Sequence, residues 1–112
     1  MNNRDFGTFG ENIAAGYLKS RGYKILCRNY RCAGGEVDII AAKGNDIRFT
    51  EVKTRSSFDF GRPCESVGRS KQKHIKQAAF AYLEQMAERG RRPETFGFDV
   101  MEIIINHMED AF

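Results

Sequence analysis

Apolar residues recur at helical spacing in two stretches of the chain, and four shorter stretches concentrate β-branched and aromatic residues. In the first, Phe6, Phe9, Ile13, Ala14, Tyr17 and Leu18 share one side of a helix over residues 6–20. Gly22 ends it as a helix C-terminal glycine. In the second, Ile75, Ala78, Ala79, Tyr82, Leu83 and Met86 form one stripe from about Ser70 to Arg89, and Gly90 and Pro93 stop it. Strands are expected at residues 23–29, 36–42, 46–53 and 96–105, with Gly44-Asn45 as a hairpin turn between the second and third. Residues 30–35 read as a loop around Gly34 and Gly35, residues 54–66 as a long polar loop, and residues 106–112 as a loose tail. Helix, three strands, helix and strand give an α/β fold, a four-stranded mixed sheet flanked by helices.

Composition narrows the picture only a little. A length of 112 residues suits one domain able to bury a core without disulfides. The 41% hydrophobic and 29% charged fractions are those of an ordinary globular protein. A net charge of +3 is too mild to identify a nucleic-acid partner, yet it leaves room for local basic patches. Cys27, Cys32 and Cys64 are odd in number and form no C-x-x-C pair, which points to reduced thiols. His74 and His107 stand apart, which argues against zinc. The first residues lack the apolar stretch of a signal peptide, and no apolar run is long enough to span a bilayer. A cytoplasmic protein with no membrane partner is expected.

The chemistry starts with two carboxylates in apolar strands. Asp38 lies among Val37, Ile39 and Ile40, and Glu51 follows Ile47, Phe49 and Thr50. If Gly44-Asn45 is a tight turn, opposed residues have numbers summing to 89, which sets Asp38 against Glu51 and Glu36 against Lys53. Residues so opposed share a sheet face, with Cβ atoms about 4.5–5.5 Å apart. Two like charges there repel, and a divalent cation between them removes the cost. Glu51 and Lys53 are two apart on one strand, so the ammonium stands roughly 7 Å along the same face. Two carboxylates and a lysine suit phosphodiester hydrolysis assisted by magnesium or manganese. The bland alternative is a salt-bridged strand pair in which Lys53 neutralises Glu36.

Basic residues surround this end of the fold. Lys71 and Gln72 straddle the inward side of the second helix at its start, either reaching a phosphate or snorkelling around the core. Arg28, Arg31, Arg55, Arg62, Arg69 and Lys73 could contact a nucleic-acid backbone or be plain solvated charge. Phe58 and Phe60 could stack on bases or cover the core. Asp99 interrupts the last strand and should have a structural partner. Glu11 sits at the border of the first helix's stripe, where spacing alone assigns it no role.

In combination these residues resemble a known family. Gly35-Glu36-Val37-Asp38-Ile39-Ile40-Ala41 and Glu51-Val52-Lys53-Thr54-Arg55 resemble the YraN-like family of uncharacterised bacterial proteins. Gly10-Glu11, Tyr17-Leu18, Arg28-Asn29-Tyr30-Arg31 and Phe98-Asp99-Val100 extend the likeness over nearly the whole chain. That family looks like a relative of archaeal Holliday-junction resolvases in the PD-(D/E)xK nuclease superfamily. The likeness implies a restriction-endonuclease-like αβββαβ core. It implies metal ligation by Asp38, Glu51 and the main-chain carbonyl of Val52, with Lys53 catalytic and Glu11 completing the site. The superfamily's proline before the aspartate is replaced by Val37. The expected protein is a divalent-metal-dependent endonuclease on DNA, branched or damaged, working by analogy as a homodimer. The alternative is a nucleic-acid-binding module that keeps the fold without cutting.

Overall fold

Asn2 opens the first helix, its side chain accepting the Asp5 N–H at 2.8 Å. The computed structural model describes residues 2–56 and 67–112, so the expectations for Phe58, Phe60, Gly61, Arg62, Pro63 and Cys64 lie outside the described residues. Helix α1 spans Asn3–Ser20, and Gly22, at φ 91°, takes the left-handed conformation that ends it. Then follow β1 (Lys24–Cys32), β2 (Gly35–Lys43), β3 (Asp46–Ser56), α2 (Arg69–Glu88) and β4 (Thr95–Ile105). The strands form one sheet in the order β1-β2-β3-β4. The pairs β1–β2 and β2–β3 are antiparallel, while β3–β4 is parallel. The mixed sheet flanked by two helices is the architecture the sequence predicts. Among the described residues no helix is long and apolar enough to cross a membrane.

The hairpin register agrees with the turn. Lys43 pairs with Asp46, Ile40 with Phe49 and Ile39 with Thr50, all on the expected sum. The loop expected at residues 30–35 is mostly strand: β1 continues to Cys32 and β2 begins at Gly35. Two causes act together. Tyr30 and Cys32 pack against the core, which keeps β1 extended. Gly34, at φ 88°, reverses the chain in a short turn. The polar loop expected from residue 54 begins later, because β3 pairs with β4 as far as Ser56 and Ile105. Residues 106–112 carry no helix or strand.

Each helix packs on one face of the sheet, but α1 buries only part of its expected stripe: Ala14 and Leu18 are buried together with Ala15, whereas Phe9, Ile13 and Tyr17 stay 43, 40 and 51% exposed. Ile75, Ala78 and Ala79 of α2 meet Val37, Ile40, Ile47 and Phe49. Ala14, Ala15 and Leu18 of α1 meet Ile39, Ala41 and Val52 on the other face. Helix α2 sits chiefly over β2, so the α2-side face of β4 is left open. Close approach is set by glycines. A Cβ at Gly35 would strike the His74 carbonyl and lie 2.8 Å from the Ala78 nitrogen. A Cβ at Gly10 would collide with the Thr54 hydroxyl.

Gly35→Ala should therefore destabilise the fold by about 1–3 kcal/mol, since helix backbone must retreat. Gly16→Ala, where an added Cβ meets nothing within 4 Å, should instead stabilise by about 0.5–1 kcal/mol. Urea unfolding of the two variants checks both signs.

Candidate active site

The site begins with an irregularity shared by two neighbouring strands. Val37 packs against the α2 cluster and Ile39 against the α1 cluster, although alternate residues of a regular strand share a face. The chain must therefore bend at Asp38. On β1, Tyr30 faces the α2 cluster while Arg28 acts on Glu11 of α1. Between them Asn29 has φ 52°, a left-handed conformation that asparagine tolerates better than most residues. Arg28 pairs with Ile39 and Tyr30 with Val37, so Asn29 and Asp38 stand opposite each other and bend together.

The bend ends the β2–β3 ladder. The last pair is Ile39 with Thr50. One step on, where Asp38 would oppose Glu51, the Oδ2 of Asp38 accepts the Val52 N–H at 2.8 Å. A carboxylate thus replaces a backbone acceptor, and Asp38 lies along the opening between the strands rather than squarely face to face with Glu51. The pairing of Glu36 with Lys53, deduced from an unbroken register, does not form. Beyond the bend Glu36 instead pairs with Arg31 at 3.5 Å, both exposed, which adds little stability.

Two glutamates feel the charge of Asp38 here. Glu51 is only 5% exposed. Burial, then the negative charge of Asp38, raises its pKa above the ordinary glutamate range, against the pull of Lys71 and Lys53. Burial, then Asp38, also raises Glu11, while Arg28 and a hydrogen bond from Asn29 work the other way. The Oε1 of Glu11 is buried without a hydrogen-bond partner. Asp38 is therefore the charge common to both glutamates. Among the described residues, no three His, Cys, Asp or Glu side chains stand close enough to be ready-made as a metal cage. The donors are all oxygens, as hard cations require, and the orphaned Glu11 oxygen is the kind of atom that a cation or its water satisfies.

The basic residues divide. Lys71 comes down from the first turn of α2 to Glu51, Nζ to Oε1 at 3.1 Å, with about half of its side chain in solvent. Burial works to lower its pKa, but the hydrogen bond and charge of Glu51, with Asp38 and Glu36, outweigh it and raise it. Gln72 is turned to the chain before the helix, its Nε2 donating to the Val67 carbonyl at 3.0 Å. Lys53 acts on Glu51 from the same strand. Arg55 is bound to Glu102 of β4 at 3.0 Å, so it serves the sheet more than an open surface. Arg28, Arg31, Arg69 and Lys73 are exposed. Asp99 has a structural partner in Arg48, whose Nε and Nη2 donate to its two oxygens at 3.1 and 2.7 Å.

The arrangement can be set beside known proteins. A model of the uncharacterised protein family UPF0102 matches residues 10–103. The chain belongs to UPF0102. This is the YraN-like family to which the motifs point. A UPF0102 protein of Caldicellulosiruptor saccharolyticus is 45% identical over 106 residues, covering 95% of this chain and 87% of the relative. One from Clostridium novyi is 44% identical over 112 residues, covering 98% and 89%. One from Clostridioides difficile is 44% identical over 117 residues and covers both chains completely. Glu11, Asp38, Glu51 and Lys53 all fall within the span matched to UPF0102.

Sequence reasoning missed Asn29 and the pairing of Lys71 with Glu51. Asn29 had one usable signal, a residue tolerant of positive φ placed opposite the anomalous aspartate. The Lys71–Glu51 contact joins two elements across the sheet–helix layer, and periodicity within either element does not contain it.

The raised glutamates predict a pH signature with a definite sign. A carboxyl whose folded pKa lies above its unfolded value favours folding fully below the unfolded value, and that contribution is lost as pH rises through the folded one. In EDTA at neutral pH, Glu11→Gln should raise Tm by a few degrees, and the gain should shrink toward zero as pH falls into the ordinary glutamate range. Thermal unfolding across pH checks it. A gain that grows on acidification contradicts the assignment.

Proposed function

We propose that this UPF0102 protein is a divalent-metal-dependent endonuclease that hydrolyses phosphodiesters of DNA. The observation that carries the reading is the contrast between two kinds of acid in one sheet. Asp99 and Glu102 are each neutralised by an arginine, at 2.7 and 3.0 Å. Glu51 is more deeply buried than either and stands beside the charge of Asp38, and the half-exposed Lys71 together with Lys53 does not outweigh burial and that charge. Sheet packing has no need of such a pair, since apolar residues of similar volume would be as stable or more so.

Asp38 and Glu51 would hold magnesium or manganese, with the Val52 carbonyl and Glu11 completing the oxygen set. When bound, the ion polarises a phosphoryl oxygen and lowers the pKa of its water. The remaining work falls to the chain. The Val52 N–H fixes Asp38 through Oδ2, so one carboxylate is oriented before substrate arrives. Lys53, two residues along β3 from Glu51, would orient the attacking water and offset charge gathering on the phosphate. Lys71, half in solvent, can turn from Glu51 to a phosphate. Exposed Arg28, Arg31, Arg69 and Lys73 supply contacts to the backbone that carry no sequence information. The likeness to resolvases extends the reading to branched or damaged DNA, cut in the cytoplasm by a homodimer with two sites.

Titration calorimetry should show manganese binding to wild type and to Lys53→Ala but not to Asp38→Ala. On a panel of duplex, single-stranded, flapped and four-way DNA, Lys53→Ala should lose roughly a hundredfold or more in cleavage rate. Equal metal binding by wild type and Asp38→Ala would refute the reading.

A further inference from the structure

The α2-side face of β4 carries a feature that metal chemistry leaves unused. Because α2 lies over β2, Phe96, Phe98 and Val100 remain 44, 39 and 42% exposed on the edge strand. Phe80 reaches across from α2, 52% exposed, and its ring meets Phe96 and Phe98 edge-on at 6.3 and 6.5 Å. Phe98 stacks on Phe49 beneath it, with ring centroids 5.7 Å apart and planes inclined by 30°. It is therefore supported from the core side.

Between α2 and β4 lies a cavity of about 270 Å³ walled by Phe49, Val67, Ile75, Phe98 and Val100. Glu51 of the candidate active site also lines it. The rim is basic. Lys76 borders both this cavity and a shallow groove along α2 formed with Arg69, Lys73 and Phe80. Asp99, the acid at the cavity's edge, is already compensated by Arg48.

A rigid aromatic surface edged by cations is the chemistry that binds unpaired nucleotides, with bases on rings and phosphates on ammonium groups. We propose that the α2–β4 cleft is a binding site for single-stranded DNA. A base stacks on Phe98 or Phe80 and the backbone runs along Lys73 and Lys76 toward Glu51. Duplex DNA, whose bases are already stacked, cannot use the aromatic part. The cleft thus directs the enzyme to strands with unpaired nucleotides. The inference rests on the nuclease reading only for where the cut would fall, since strand affinity itself needs no metal.

Fluorescence anisotropy in EDTA with a labelled oligothymidine and a duplex of equal length tests it. Wild type should favour the single strand. Phe80→Ala and Phe98→Ala should each weaken it roughly tenfold and leave duplex affinity unchanged. A Lys73→Gln, Lys76→Gln double variant should weaken binding and flatten its salt dependence. Phe98→Leu keeps the core contact without the flat ring, so it gives the answer if Phe98→Ala does not fold. The proposal is overturned if the aromatic variants weaken both substrates equally or neither. It is also overturned if wild type sediments as a dimer that Phe98→Ala splits while strand binding is untouched, for the patch is then an interface between copies. Cleavage of the same oligonucleotides in magnesium, run separately, distinguishes the two readings. Wild type that binds but never cuts removes the nuclease and leaves the cleft, whereas cutting without strand preference does the reverse.

Discussion

The Asp38 carboxylate on the Val52 N–H is the contact around which the rest of the site is arranged. Where β2 and β3 stop pairing, an inward backbone donor would be left without a partner, at a cost of about 1–3 kcal/mol. Asp38 supplies the acceptor. In doing so it holds a negative charge at the seam between the two packed faces, where α1 brings Glu11 and β3 brings Glu51. The bend that permits this is shared with Asn29 on the neighbouring strand, so the register continues on both sides of it. One hydrogen bond thus couples the end of a ladder, the switch of side-chain faces and the charge that both Glu11 and Glu51 feel.

That coupling explains why the fold tolerates charge where packing would favour hydrocarbon. At the outer strand the fold handles acids in the ordinary way, with Arg48 on Asp99 and Arg55 on Glu102. At the seam Lys71 on Glu51 and Asn29 on Glu11 compensate less completely. Glu51 sits among core residues with its pKa pushed up, and a buried oxygen of Glu11 has no partner. Strain of this kind gathers at functional sites, where local stability is given up for a constellation that acts on a ligand.

Much of this was legible in the residues. The Gly44-Asn45 turn alone determined the register of Lys43, Ile40 and Ile39 against Asp46, Phe49 and Thr50, because a two-residue turn leaves no choice of pairing. The nearness of Asp38 to Glu51 followed, but not their direct opposition, because the paired register stops at Ile39 and Thr50. The break in the ladder did not, since periodicity assumes that a strand continues unbent and only backbone angles at Asn29 show otherwise. The short turn at Ala33-Gly34 was hidden for a related reason. Two adjacent glycines suggest a loop, yet Gly35 serves close approach to α2 rather than chain reversal. Arg55 looked like a surface cation because its partner, Glu102, is far along the chain and meets it only through parallel pairing of β3 with β4.

The placement of α2 links these features. Covering β2 is what buries Ile75, Ala78 and Ala79 against Val37, Ile40 and Phe49, and it requires Gly35 beneath the helix. The same placement brings Lys71 over Glu51 from the helix's first turn. It also leaves Phe96, Phe98 and Val100 of β4 partly exposed on that side, since one helix spans only about 10 Å of a sheet whose strands are spaced about 4.8 Å apart. Had α2 been shifted one strand toward β4, Phe98 would be core and Glu51 would be sealed beneath apolar side chains. The placement of α2 thus keeps Glu51 on the wall of a cavity rather than beneath the helix, and the exposed aromatic residues of β4 follow from the same placement.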